Sequence, residues 1–289
     1  MRKLFFQNRS GERVDLNSRT LLASDLSGFG VSYAPVYADL GSGFFAAVET
    51  TLFPQPSLGF TLNFVGAQAY ADYRSLVSWL AAAGDLVLVY IPYGDEEYLC
   101  RVDIAQIDKA ELNKLGWLVS PCEFKALSPW YRTVTTSVDM VTESAEAVRY
   151  PYSYTAELRF GAETMAEFQA TLYPGGQQPA GFVLKYVGAI SNPVIRLEGV
   201  STGKTYAVCA LNYQFGAADV LEFSTLPDDN HIRCLTPTGE QIDLIDKVNP
   251  TVEPFAQLPL NEACAVSIES SSLFAGTASV DVYYYYRTV

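Results

Sequence analysis

The chain has 289 residues, of which 49% are hydrophobic, and it contains 19 Tyr and 16 Phe. This apolar content argues against intrinsic disorder and is sufficient for two cores. The chain has 19 Lys and Arg against 32 Asp and Glu, which gives a formal net charge of −13. This charge argues against nucleic-acid binding, because that function relies on basic side chains to release counterions from phosphates.

The chain begins with a predicted β-hairpin. Lys3–Gln7 is strand-like, Asn8–Gly11 is rich in turn residues, and the strand pattern returns at Arg13–Leu16. Further on, Gly41–Gly43 interrupts the pattern, and Pro54–Pro56 predicts a stiff, extended linker. We therefore expect short strands broken by turns over the first part of the chain.

Residues Ala67–Ala83 are predicted to form an amphipathic helix. Larger apolar residues recur at spacings of three and four and form one face. Gly84 follows where a left-handed C-cap is favoured. The residues of the apolar face are Tyr70, Tyr73, Leu76, Val77 and Leu80.

Strands are expected on both sides of this helix. Phe60–Phe64 alternates between apolar and polar residues, and Leu86–Ile91 is a continuous apolar run. Two more strands are predicted at Tyr98–Ile104 and Trp117–Phe124. The first domain is therefore predicted to be a β-sheet structure, similar to a sandwich, with one helix lying on it.

A domain junction is predicted near Ser128–Tyr131, because a proline before two aromatic residues fixes the direction of the chain. From Tyr150 onward only strands are predicted, and Arg132–Val148 is expected to be an edge strand with a connector. Short antiparallel strands at this spacing predict a sandwich of two sheets. The predicted domains are residues 1–140 and 141–289. The predicted strands are Tyr152–Phe160, Glu167–Leu172, Gly181–Val187, Val194–Leu197, Thr205–Leu211, Val220–Ser224, Ile232–Leu235, Cys264–Glu269 and Ser279–Tyr286.

Charge is distributed unevenly along the chain. Up to Trp130 there are 10 basic and 14 acidic residues, whereas 9 basic and 18 acidic residues follow it. Solvated surface charge is the favoured interpretation of the basic group in the first 20 residues, and a docking arm for an acidic neighbour is the alternative. The members of this group are Arg2, Lys3, Arg9, Arg13 and Arg19.

The cysteines are scattered, odd in number and form no C-x-x-C pair, which predicts free, mostly buried thiols in a reducing compartment. They are Cys100, Cys122, Cys209, Cys234 and Cys264. The N-terminus turns polar at Gln7, too early for a signal peptide. No run of about 18 apolar residues predicts a membrane span. We therefore expect the chain to be made and assembled in a bacterial cytosol.

The sequence nominates no catalytic, cofactor-binding or metal-binding residue. His231 is the single histidine, and Asp228–Asn230 before it predicts a solvated turn. Asp228 and Asp229 could bind calcium, but adjacent acids on a tight turn are expected to point apart into water. Val282–Tyr286 is predicted to be a terminal strand with one buried face, with an aromatic platform for sugars as the alternative.

The ordered series of motifs in Gly59–Tyr131 resembles the N-terminal domain of siphophage distal tail proteins. It contains Gly59–Phe64, the helix, Leu86–Tyr90, Tyr98–Val102 and Lys109–Leu112, and it closes with Pro121–Tyr131. The second half is similar to their C-terminal domain at three places, which are Tyr150–Tyr152, Gly188–Ile195 and Asp246–Asn249. Residues 1–55 depart most from the family.

The resemblance implies a non-enzymatic structural protein of the virion, located at the distal end of the tail. Such proteins form a hexameric ring around a channel for DNA, between the tail tube protein and the tail-associated hub protein. The C-terminal domain would be a galectin-like β-sandwich that supports receptor-binding parts. The usual galectin sugar-binding residues are not recognisable around His231. A monomeric carbohydrate-binding or adhesion module and a tail-associated glycosidase are the alternatives.

Overall fold

The computed structural model describes residues 2–31, 37–42, 44–47, 54–109, 111–143, 165–249, 253–270 and 275–289. The described chain is mainly β and contains one α-helix, which confirms the predicted fold class. No helix among these residues has the length and apolar character needed to cross a membrane. The predicted strand at Tyr152–Phe160 lies outside the described residues.

The chain divides into two compact units. The first unit comprises Met1–Arg132 together with Tyr285–Val289, and the second comprises Thr133–Tyr284. The chain passes from one unit to the other twice, once after Arg132 and once after Tyr284. The boundary predicted after residue 140 lies a few residues beyond this division, and the last five residues return to the first unit.

The first unit is an antiparallel sheet with one helix. Its strands pair in the order β2–β1–β7–β8–β9–β6–β3, and β4 pairs with β5 in a separate hairpin. The elements are β1 (Lys3–Gln7), β2 (Arg13–Asp15), β3 (Leu21–Ser27), β4 (Tyr37–Gly41), β5 (Phe44–Ala47), β6 (Ser57–Phe64), α1 (Ala69–Ala82), β7 (Leu86–Ile91), β8 (Tyr98–Ile107), β9 (Leu118–Ala126) and the start of β10 (Trp130–Glu143).

The two ends of this sheet meet between β2 and β3. Asn17 and Leu22 form an isolated antiparallel bridge, and the Ala23 amide donates to the Leu16 carbonyl at 2.7 Å. The predicted N-terminal hairpin is confirmed by the pairing of Phe6 with Val14. The sheet therefore curls around its own core, which protects most strand edges by pairing.

The core of the first unit is aromatic. The rings of Phe6, Phe60 and Phe124 are buried, and their centroids lie 5.1–5.9 Å apart. Alternate residues of β6 point to this core, because successive side chains of a strand face opposite sides. Alternation directs the three rings inward, and the curled sheet brings β1 close to β6 and β9 so that the rings are in contact.

Helix α1 confirms the predicted helix with slightly shorter bounds. Leu76 and Leu80 are buried, and the Tyr73 ring packs edge-on against Phe64 with centroids 5.7 Å apart. The helix ends at Ala83, whose amide donates to the Leu80 carbonyl, and Gly84 follows with φ +68°. Glycine occupies this left-handed position without steric cost.

Two antiparallel sheets form the second unit. One has the order β21–β12–β16–β17–β18 and the other β11–β20–β13–β14–β19, and the last residues of β10 pair with β11. The strands are β11 (Met165–Leu172), β12 (Gly181–Ser191), β13 (Val194–Gly199), β14 (Thr205–Leu211), β15 (Gln214–Phe215), β16 (Val220–Leu226), β17 (Asp229–Leu235), β18 (Gln241–Asp243), β19 (Val248–Asn249), β20 (Cys264–Glu269) and β21 (Ala275–Tyr286).

The second unit has its own core, formed by inward-facing residues of both sheets. Leu184 and Phe223 come from the first sheet, and Ile195 and Ile268 come from the second. A polar contact closes the turn between β13 and β14. The carboxylate of Glu262 accepts hydrogen bonds from the Tyr206 hydroxyl at 2.5 Å, from the Ser201 hydroxyl and from the Thr202 amide.

Candidate functional site

His231 lies on strand β17 and not in a turn. The connection between β16 and β17 is only Pro227–Asp228, because Leu226 pairs directly with Asp229. The histidine side chain is 17% exposed; its Nε2 lies 2.9 Å from Glu222 Oε1 and its Nδ1 lies 3.1 Å from Asp229 Oδ1. The prediction of a solvated turn histidine is therefore wrong. The polar residues Asp228–Asn230 predict a turn that extends to His231, whereas the connection has only two residues and strand β17 begins at Asp229.

Glu222 is the centre of a charged cluster on the second unit. It lies on β16 between Lys185 of β12 and Arg233 of β17, which pair with it in register. Arg233 Nη2 donates to Glu222 Oε1, and Lys185 Nζ lies 3.7 Å from Glu222 Oε2. Burial raises the pKa of Glu222, but the hydrogen bonds from His231 and Arg233 outweigh it and lower that pKa below its usual value.

This cluster is suited to holding the sheet together. The carboxylate of Glu222 is only 9% exposed and is surrounded by three basic side chains. A buried charge is tolerated when it is paired and hydrogen-bonded. Because the surrounding donors are directed at Glu222, the geometry favours a structural role for the cluster.

The two acids that sequence analysis weighed for calcium binding follow one another at the start of β17. Asp228 ends the tight connection, and Asp229 is 63% exposed and contacts His231. Among the residues that the structure describes, no group of three or more His, Cys, Asp or Glu side chains could hold a metal ion. The structure thus gives calcium no further ligands around these acids in the described part of the chain.

All five cysteines are free and buried, which confirms the prediction from their spacing. Burial raises the pKa of the Cys100 and Cys209 thiols to about 12 and that of the Cys122 and Cys264 thiols to about 11. A thiol that stays protonated is a poor nucleophile and a poor metal ligand. These cysteines therefore serve as small apolar core residues.

The terminal tyrosines are packed residues of strand β21. Tyr284 packs against the core of the second unit and donates its hydroxyl to the Tyr173 carbonyl. Tyr285 is buried, and the Tyr286 ring packs edge-on against Tyr98 with centroids 5.2 Å apart. The structure therefore favours the terminal-strand interpretation over an aromatic sugar platform.

Two members of the basic group of the first 20 residues lie on strands of the sheet. Arg13 lies on β2, and its guanidinium forms a bidentate contact with Glu97 at 2.8 and 2.9 Å. That hydrogen-bonded pair raises the pKa of Arg13 and lowers the pKa of Glu97. Lys3 lies on β1, which is paired along its length with β7. Arg13 and Lys3 are therefore part of the sheet, whereas Arg2, Arg9 and Arg19 are exposed outside the strands.

A surface suited to assembly is instead provided by the hairpin of β4 and β5. These strands pair only with each other among the described residues. The side chains of Tyr37, Leu40 and Phe44 are 60%, 67% and 71% exposed. The pairing of β4 with β5 is irregular between Asp39 and Gly41, where Leu40 is the extra residue. An isolated two-stranded hairpin is only marginally stable in water.

Residues 3–127 match the model of the distal tail protein N-terminal domain. The match confirms the resemblance to phage distal tail proteins, and it includes β1 to β5. The matched range therefore extends over residues 3–55, for which the sequence motifs carried no resemblance. No curated protein matches the chain in sequence.

Solved structures extend the likeness of fold beyond the distal tail domain. A chain of the phage P2 baseplate in its activated conformation with Ca is 11% identical, and the match covers 100% of both chains with a TM-score of 0.64. SPP1 Dit, described as a paradigm of the hub adsorption apparatus in phages that infect Gram-positive bacteria, is 12% identical, with 98% of both chains covered and a TM-score of 0.58. At these identities the likeness establishes the shared fold.

The motif that closes the resemblance to the family has a defined place in the structure. Ser128–Tyr131 lies just beyond the matched residues; there the Ser128 hydroxyl accepts from the Arg101 amide at 2.9 Å, and Trp130 is buried against Phe29. The motif at Tyr150–Tyr152 lies outside the described residues. The hairpin of β4 and β5 was missed, although Gly41–Gly43 between two aromatic segments was a usable signal.

Proposed function

We propose that the chain forms a hexameric ring at the distal end of a phage tail and serves there as a structural component. The ring joins the tail tube to the hub and to the host-adhesion apparatus, and it leaves a central channel for DNA. The observation that carries this proposal is the exposed apolar hairpin of β4 and β5, located within the matched distal tail domain. Burial of such side chains against a neighbouring subunit supplies most of the favourable free energy of association.

Ring closure requires two different surfaces on each subunit. A head-to-tail contact repeats by rotation and closes when the rotation divides a full turn. The hairpin supplies one such surface, since Tyr37, Leu40 and Phe44 are mostly exposed on it. The first units then line the channel, and the second units carry the contacts to receptor-binding parts.

The proposed role needs no catalysis and no cofactor. The best-defined charged cluster of the second unit directs its donors at the buried Glu222 and so fits a structural role. We also propose that the chain binds no specific nucleic acid sequence, inserts into no membrane, and assembles in the host cytoplasm before it joins the virion.

The ring is tested by the mass of the purified protein in solution. Light scattering over rising protein concentrations is expected to give about 190 kDa, the mass of six 31.7 kDa chains. Negative-stain images of the same sample should show a six-fold ring with a central hole. A monomer at the highest attainable concentration contradicts the ring and favours a monomeric adhesion module, for which a glycan array with the same protein is the next measurement.

A further inference from the structure

His231 is the one histidine of the chain, and its ring lies between two acidic residues. It pairs with Ser224 of β16, so its side chain lies on the same face of the sheet as that of Glu222. Its Nε2 atom lies 2.9 Å from Glu222 Oε1. Its Nδ1 atom lies 3.1 Å from both the backbone carbonyl oxygen and the side-chain Oδ1 of Asp229. Each ring nitrogen therefore faces oxygen atoms at hydrogen-bond distance.

The oxygen atoms on both sides of the ring are acceptors. The carbonyl of Asp229 accepts hydrogen bonds at any pH. Burial opposes ionisation of Glu222, but the hydrogen bonds from His231 and Arg233 keep its pKa below the usual value, so its carboxylate is an acceptor at neutral pH. A neutral imidazole has one N–H group and one lone pair, and the lone pair would face an acceptor. Only the imidazolium donates to both residues.

The charges around the ring compensate a positive imidazolium. Lys185 and Arg233 both contact Glu222. Burial raises the pKa of Tyr283, and the nearby acids raise it further, which places its hydroxyl among them. Carboxylates outnumber basic groups in this set, so the added positive charge is paired. The titratable and charged groups around His231 are Glu222 of β16, Lys185 of β12, Asp281 and Tyr283 of β21, Asp228 of the connection, Asp229 and Arg233 of β17, and Asp243 of β18, which pairs with Arg233.

We propose that His231 forms a pH-sensitive contact that fastens the start of β17 to β16. Histidine is the side chain that ordinarily changes its charge between about pH 5 and 8. In the lower part of this range the imidazolium joins Glu222 on β16 to Asp229 at the start of β17. In the upper part the ring has lost a proton and one of these two hydrogen bonds is absent. The contact lies within the second unit, so the proposal does not depend on the ring.

The direction of the pH effect follows from the acceptors that each state offers. In the folded chain both N–H groups of the imidazolium donate to protein acceptors, whereas in the unfolded chain they donate to water. The folded state therefore binds this proton more tightly than the unfolded state. The resulting stabilisation is complete in the lower part of the range and is lost as the pH rises.

Urea unfolding of the wild type and of His231→Gln at one fixed protein concentration tests the proposal. The variant has no imidazole, so it is also the control for other groups that titrate in this range, such as the α-amino group. The measured quantity is the unfolding constant of the variant divided by that of the wild type. This ratio should fall about tenfold between about pH 5.5 and about pH 8.5, the effect of one hydrogen bond to a charged group.

Glu222→Gln is the second variant, because it keeps His231 and removes the charge that Nε2 meets. The stability of this variant should change less with pH than that of the wild type over the same range. A ratio for His231→Gln that stays constant, or that rises with pH, overturns the proposal. If His231→Gln does not fold, the comparison between the wild type and Glu222→Gln decides, and an equal pH dependence of these two overturns it.

Discussion

The two units place their apolar and charged side chains differently. Among the described residues, the first unit leaves Leu40, Phe44 and Leu115 about two-thirds exposed or more, whereas the second unit leaves only Tyr173 exposed to that extent. The second unit keeps the charged Glu222 almost completely buried under three basic side chains. Covering exposed apolar area with another surface stabilises an assembly. A buried charge that is already paired obtains no further stabilisation from a partner. Assembly contacts are therefore expected in the first unit, and the second unit is built to be stable by itself.

The sharpest way to test the separation of the units is to truncate one core at a time. Phe124→Ala removes a buried ring from the first unit, and Phe223→Ala removes one from the second. Each is expected to lower the free energy of unfolding by about 3–5 kcal/mol, because a large cavity is left. Calorimetry should show each variant lowering the melting temperature of its own unit. Equal shifts of both units by either variant would show that they unfold together.

A smaller difference in stability is expected between two charge substitutions, one at the buried Glu222 of the second unit and one at the exposed Arg13–Glu97 pair of the first unit. Glu222→Gln should cost about 2 kcal/mol in the free energy of unfolding, because Lys185 and Arg233 lose their buried counter-charge. Glu97→Gln is the matched control and should cost less than about 1 kcal/mol, since the Arg13–Glu97 pair is more exposed. Urea unfolding of both variants provides the measurement. Equal costs would contradict the contrast between the two clusters.

The smallest expected effect is a pH dependence of the second unit. Hydrogen bonds from Tyr206, Ser201 and Thr202 lower the pKa of Glu262 from 4.5 to about 2. Because the folded state binds this proton more weakly than the unfolded state, the stabilisation is complete above about pH 4.5 and is lost as the pH falls towards 2. The difference in free energy of unfolding between the wild type and Glu262→Gln should therefore become smaller as the pH falls through that range. A difference that stays constant from pH 6 to about pH 2 would contradict this assignment.

Elements with a strong local pattern were predictable from sequence. The helix period at Leu76 and Leu80 and the alternation of β6 are repeated over many residues, and both elements were found. Strands β14 and β20 have the predicted bounds, Thr205–Leu211 and Cys264–Glu269. These elements could be predicted because one buried face imposes its period on the sequence.

Other elements gave no such signal. β15 and β19 have two residues each, too few for alternation to appear. His231 was misplaced because Leu226 and Asp229 pair across a tight connection that the run of polar residues concealed. A groove beside α1 combines Tyr70 with Leu115, which are distant in sequence, so no local pattern marks it. Sites made by long-range proximity require the fold itself.

The return of Tyr285–Val289 to the first unit also sets the order in which the molecule is completed. The Tyr286 ring covers Tyr98, and the Thr288 hydroxyl donates to the Phe29 carbonyl. These residues leave the ribosome after all the residues that they contact, because they follow them in the chain. The first unit is consequently completed only after the whole second unit has been synthesised. A nascent chain that stops before Tyr285 carries an incomplete first unit.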